Sequence, residues 1–243
     1  MKKILAAILV AALLATSSAA TVSAKSVAPP DIEKVVFIHY KAPAKPSWAG
    51  GTKKDNEGYQ LYKGGVKWSN ADLPVTYLVN AASSGVNPVA AVNQVVAAFE
   101  AWASQASKEL YNDTVGTTDI TGASADGLNV ISWVNLGSSN VIAVTTFWYN
   151  VKTKKLIEFD MEFNTRFPWG IDPDGEGTIS ALTGAMDIRN IATHEAGHTL
   201  VLNDLYQSQY TQMTMYGYSD YGEVEKISLE AGDIAGVQAL YSN

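Results

Sequence analysis

The stretch Ala192-Thr193-His194-Glu195-Ala196-Gly197-His198-Thr199-Leu200 constrains this chain more than any other. On an α-helix, His194 and His198 are four residues apart and project from one face. Two imidazoles in that relation can grip one Zn2+, and Glu195 between them can act on a zinc-bound water. On the opposite side, Ala192, Ala196 and Thr199 are small enough to let the helix lie close to a sheet. Asp187 is the expected N-cap, where a carboxylate suits both the free amides and the helix dipole. The helix is expected to end near Leu202.

A catalytic zinc needs a third protein ligand and an open position for water. The chain has no cysteine. Thiolate ligands, a thiol nucleophile and disulfides are therefore excluded. The chain has three histidines, and the third, His39, lies far upstream. A carboxylate must supply the third bond unless His39 folds back. Asp204, six residues after His198, is the nearest candidate, and it requires a sharp turn after the helix. Glu223, Glu225 and Glu230 are more distant alternatives.

The pattern His194-Glu195-x-x-His198-x-x-Val201-x-x-Asp204 resembles the metzincin signature, in its bacterial and archaeal form with Asp as third ligand. Thr214-Met215-Tyr216-Gly217-Tyr218 resembles the Met-turn of that group. Asp233-Ile234-Ala235-Gly236-Val237-Gln238-Ala239-Leu240-Tyr241 is similar to the terminal helix of matrixins, and residues 74–102 to their first strand and helix. The resemblance spans residues 66–243. It implies an α+β, metzincin-like catalytic domain: a twisted, mainly parallel mixed sheet with an antiparallel edge strand, an active-site helix and a C-terminal helix. It further implies His194, His198 and Asp204 as zinc ligands, Glu195 as general base and proton shuttle, and Met215 as an apolar floor under the metal. Residues 141–145 become the edge on which an extended polypeptide substrate lies by strand addition. Tyr216 and Tyr218 are candidate aids to the oxyanion and, more simply, wall residues. Two departures stand out. Val201 occupies a position where matrixins have Gly, and a β-branched residue is disfavoured at positive φ. Gly217 stands where animal matrixins have Pro.

The remaining sequence fits an exported peptidase. Lys2-Lys3, an apolar run and Val22-Ser23-Ala24 read as a signal peptide over residues 1–24. Loss of the two lysines takes the net charge from −7 to −9, which argues against nucleic acid or an anionic membrane as partner. After signal cleavage no transmembrane segment is expected, and the location is secreted or cell-surface. Residues 25–65 read as a leader. Val35-Val36-Phe37-Ile38-His39-Tyr40 is a short strand, followed by a Pro/Gly-rich linker over residues 41–57. This leader is either a pro-segment or a structural extension around the domain. Asn87-Pro88 opens a helix with Val92, Val95, Val96, Phe99 and Trp102 as its core stripe.

Residues 155–163 alternate, with Ile157, Phe159, Met161 and Phe163 facing one way and Glu158, Asp160 and Glu162 the other. The carboxylate face is either solvated or, with loop oxygens, a Ca2+ site. Asp160, Glu162, Asp172 and Asp174 are the candidate calcium ligands. A surface-binding protein that kept the fold without catalysis is the alternative function.

Overall fold

The computed structural model describes residues 31–42, 58–173, 175 and 182–242. The export segment, most of the linker and Asp174 lie outside them. The described strands are β1 (Ile32–Lys41), β2 (Leu78–Asn80), β3 (Gly116–Thr117), β4 (Val130–Val134), β5 (Val141–Asn150), β6 (Leu156–Asn164), β7 (Trp169–Gly170), β8 (Met186–Asp187) and β9 (Tyr218–Ser219). The helices are α1 (Pro88–Ala103), α2 (Ile188–Thr199) and α3 (Ala231–Tyr241).

A seven-stranded sheet has the order β3-β2-β4-β6-β5-β1-β9. Strands β3, β2, β4 and β6 run parallel. Strand β5 is antiparallel to β6, as expected for the edge of the domain's own sheet. Its outer side is not free. β1 pairs with it antiparallel from Ile32 opposite Asn150 to Tyr40 opposite Val141, and β1 then runs parallel to β9.

Local sequence explains the elements. Asn87 Oδ1 accepts from Ala90 N at 3.1 Å, and Pro88 starts α1 without leaving an amide unpaired. Ala91, Val95, Ala98, Phe99 and Trp102 form its buried stripe. Asp187 caps α2 by accepting from Asn190 N at 2.7 Å. Glu230 and Asp233 form a reciprocal capping box on α3. In β6 the apolar face is buried as expected, apart from the exposed Ile157.

Much of the opposite face of β6 is buried rather than solvated. Glu158 and Asp160 are buried. Asp160 accepts from Ser124 N at 2.9 Å and Val130 N at 3.0 Å, and Glu158 accepts from Gly127 N. The loop before β4 supplies amide donors where a calcium ion was the alternative. The calcium expectation for Asp160 and Glu162 gains no support from this arrangement. Asp172 donates its amide to the Asp187 cap at 2.9 Å. Among the described residues, the clusters spaced to hold a metal include none of these carboxylates.

Candidate metal centre

Helix α2 is buried along nearly its whole length. Trp102 of α1 donates to Thr193 O at 2.8 Å, and Trp68 donates to Thr199 O at 3.0 Å. These indole bonds hold the helix from behind. Gly197 lets it approach: a Cβ there would meet Met215 Sδ and lie 2.8 Å from Trp102 Cζ2. Met215 is fully buried directly against this turn of the helix.

The two histidines are held alike. His194 Nδ1 lies 2.7 Å from Thr214 O, and His198 Nδ1 lies 2.7 Å from Leu202 O. A carbonyl only accepts, so each Nδ1 carries a proton, and in the neutral ring each Nε2 keeps its lone pair. Both Nε2 atoms are buried without a hydrogen-bond partner, as is Asp204 Oδ1. Asp204 Oδ1 sits 3.1 Å from His194 Nε2 and 3.4 Å from His198 Nε2. Three ligand-type atoms within 4.8 Å of one another fit a zinc ion.

Burial alone would raise the Asp204 carboxyl, but the facing imidazoles of His198 and His194 outweigh it and hold the group well below the usual range. Burial pushes His194 down to about 4. His198 goes up instead, because the pull of Asp204 exceeds the cost of its burial. The pocket thus holds a carboxylate that demands a positive charge beside it.

Asp204 reaches the centre through the turn that the sequence required. Val201 takes φ 65 and is completely buried. Its amide donates to His198 O at 2.9 Å, and Leu202 N donates to Gly197 O at 3.1 Å. The β-branched residue therefore makes the left-handed turn directly, at a conformational cost, and the site is not displaced. The distant alternatives are occupied elsewhere. Glu223 pairs with buried Lys226, Glu225 accepts from Val224 N at 3.0 Å, and Glu230 caps α3.

Glu195 is buried beside these atoms. Its Oε2 accepts from Thr145 Oγ1 of β5 at 2.6 Å. Burial raises its carboxyl to about 7. Its Oε1 lies 3.2 Å from Nδ1 of His39, which β1 carries into the centre.

The profile of the Matrixin family matches residues 67–242. This chain belongs to the matrixin family. Matrixins are zinc-dependent metallopeptidases, and the three-residue cluster agrees with that. A search of curated proteins returned no match. The match begins after β1, so the strand beside the matrixin centre lies outside the matched region.

Several positioning residues were not read from the sequence. Tyr206 donates its hydroxyl to Asp204 Oδ2 at 3.1 Å. Its ring fills the space beside Gly217, where a Cβ would lie 2.7 Å from Tyr206 Cζ. Asp233 of α3 accepts from Thr214 N at 2.8 Å and Met215 N at 3.2 Å, so it shapes the turn whose carbonyl orients His194. Lys226 Nζ donates to Tyr218 O and Ser219 Oγ, both at 2.9 Å, and fixes β9. Tyr218 packs between Tyr206 and Tyr216, with ring centroids 5.2 and 5.7 Å away, as a wall residue would. Asp204-x-Tyr206 and the lone glycine at 217 were the available signals for Tyr206. A buried lysine gives no such signal.

Proposed function

We propose that this matrixin is a secreted zinc endopeptidase in which His194, His198 and Asp204 hold the metal and Glu195 is the general base. One observation carries the reading: three buried, unpartnered ligand atoms converge beside a buried carboxylate that Thr145 orients. Zinc held there would polarise the scissile carbonyl and lower the pKa of an attacking water. Glu195 takes that water's proton on the oxygen not engaged by Thr145. It then returns a proton to the departing amine nitrogen. Burial raises the proton affinity of Glu195 and so suits it to both transfers. Met215 packs beneath the helix and supplies rigidity rather than a bond.

The substrate is an extended polypeptide that adds as a strand along β5. That β5 accepts an antiparallel strand over residues 141–150 supports this mode. Export is supported by the sequence of residues 1–24. Among the described residues no helix is long and apolar enough to cross a membrane. The non-catalytic alternative leaned on Val201; the completed turn, with Glu195 in place, supports the peptidase reading over it.

Casein cleavage tests the reading. It is measured with and without chelator on the chain lacking residues 1–24 and on residues 58–243. Chelator-sensitive cleavage by either form, abolished by Glu195→Ala, is expected. One zinc per chain with no cleavage in either form would overturn it.

A further inference from the structure

We propose that β1 is a built-in occupant of the substrate cleft, and that His39 closes the site as a fourth protein ligand of its metal. This rests on the zinc-centre reading above. Strand β1 lies on the side of β5 that an added peptide would use, with Phe37, Ile38 and His39 opposite Thr145, Val144 and Ala143. Its last residues pass to β9, where Tyr40 pairs with Tyr218. The strand therefore spans the cleft from one wall to the other. The family match, over residues 67–242, does not include it.

The strand meets the metal-binding helix in step. Two residues of a strand advance about 6.6 Å, and four residues of a helix advance about 6 Å. Phe37 and His39 share a strand face, as His198 and His194 share a helix face. The Phe37 ring stacks on His198 at 4.1 Å between centroids and 2° between planes. The His39 ring lies 3.9 Å from that of His194. Tyr62, Tyr149 and Lys63 all donate to Glu33, at 2.9, 2.9 and 2.7 Å, and so anchor the strand's other end.

His39 also repeats the pattern of the two zinc-type histidines. Its Nδ1 faces an acceptor, the Glu195 carboxylate, at 3.2 Å. Its Nε2 is buried with no hydrogen-bond partner. His39 with His194 and Glu195 makes a second cluster of ligand atoms within 4.8 Å, which shares His194 with the first. A neutral imidazole with a free lone pair in that place does two things. It offers the metal a fourth bond where water is needed, and it engages the carboxylate that would activate the water. A chain without cysteine has in His39 a nitrogen ligand for this purpose.

Cobalt(II) substitution tests this on the chain lacking only residues 1–24, confirmed intact by mass. The wild type, His39→Phe and His39→Cys are loaded with Co2+, and visible spectra are followed as acetohydroxamate is added. The wild-type spectrum is expected to stay unmoved, while that of His39→Phe shifts. His39→Cys is expected to stay unmoved and to gain a thiolate-to-cobalt band in the near ultraviolet. Peptide cleavage by zinc-loaded His39→Phe should exceed wild type about tenfold or more. Equal hydroxamate responses in wild type and His39→Phe overturn the proposal, as does measurable cleavage that is equal in the two. Should His39→Phe fail to fold, the thiolate band decides: its absence from metal-loaded His39→Cys overturns the assignment. Separated spectra with no cleavage by any variant uphold His39 as ligand and bring down the peptidase reading instead.

Discussion

Val201→Gly separates the backbone role of Val201 from its side-chain role. At φ 65 a side chain bearing Cβ costs about 1–2 kcal/mol, which glycine relieves. Against that, the isopropyl group is fully buried, and its removal forfeits about 1.5–3 kcal/mol. Glycine adds about 0.5–1 kcal/mol through the freedom of the unfolded chain. The balance is a loss of about 1.5 kcal/mol, which in a domain of this size lowers Tm by about 3–6 °C. The turn itself survives, because Leu202 N, Val201 N and Tyr206 still place Asp204. Zinc affinity and peptide cleavage should therefore stay within about threefold of wild type. Circular dichroism melts of the metal-free protein and a competitive zinc titration measure the two effects. A 100-fold weaker zinc affinity would refute the reasoning. It would show that the valine side chain, not the left-handed backbone, positions the ligand.

Three further predictions concern the supports of the site. Tyr206→Phe removes the hydroxyl that orients Asp204, and zinc titration should show about tenfold weaker affinity with Tm nearly unchanged. Gly197→Ala gains about 1 kcal/mol of helix propensity but drives a methyl against Trp102 and Met215, so a net loss of about 1–2 kcal/mol should lower Tm by about 2–8 °C in a thermal melt. Asp233 has its carboxyl pushed by burial from 3.8 up to about 6, so the folded state holds its proton more tightly than the unfolded chain does. Its contribution is present below about pH 4 and lost as pH rises to about 6. In urea titrations of the metal-free chain, the stability of wild type relative to Asp233→Asn should fall between those values and level off above them.

The zinc helix was legible because its chemistry fixes spacing: two histidines and a glutamate in five residues leave one geometry. Its capping Asp187, the turn to Asp204 and the Val95, Phe99 and Trp102 positions of the α1 stripe were legible for similar local reasons, whereas Ala91 and Ala98 are buried in place of the expected Val92 and Val96. The strand pairing of β1 was only half legible. Its alternation marks residues 35–40 as a strand, but partner choice is decided by contacts more than a hundred residues away, at β5 and α2. The carboxylates of β6 misled for a related reason. A row of acids signals a need for positive partners, and sequence does not distinguish a cation from the amides of Ser124, Gly127 and Val130. The first strand expected within residues 74–102 is short, since ladder pairing is confined to Leu78–Asn80 and Val75 makes only an isolated bridge to Tyr111.

The central claim is that His194, His198 and Asp204 together hold the metal. Isothermal titration of Zn2+ into metal-free wild type, His198→Ala, Asp204→Ala and Glu223→Ala tests it most directly. One ion per chain is expected for wild type and Glu223→Ala, with binding weakened well beyond 100-fold in His198→Ala and Asp204→Ala, more than loss of a supporting hydrogen bond costs. Wild-type affinity in Asp204→Ala would contradict the account.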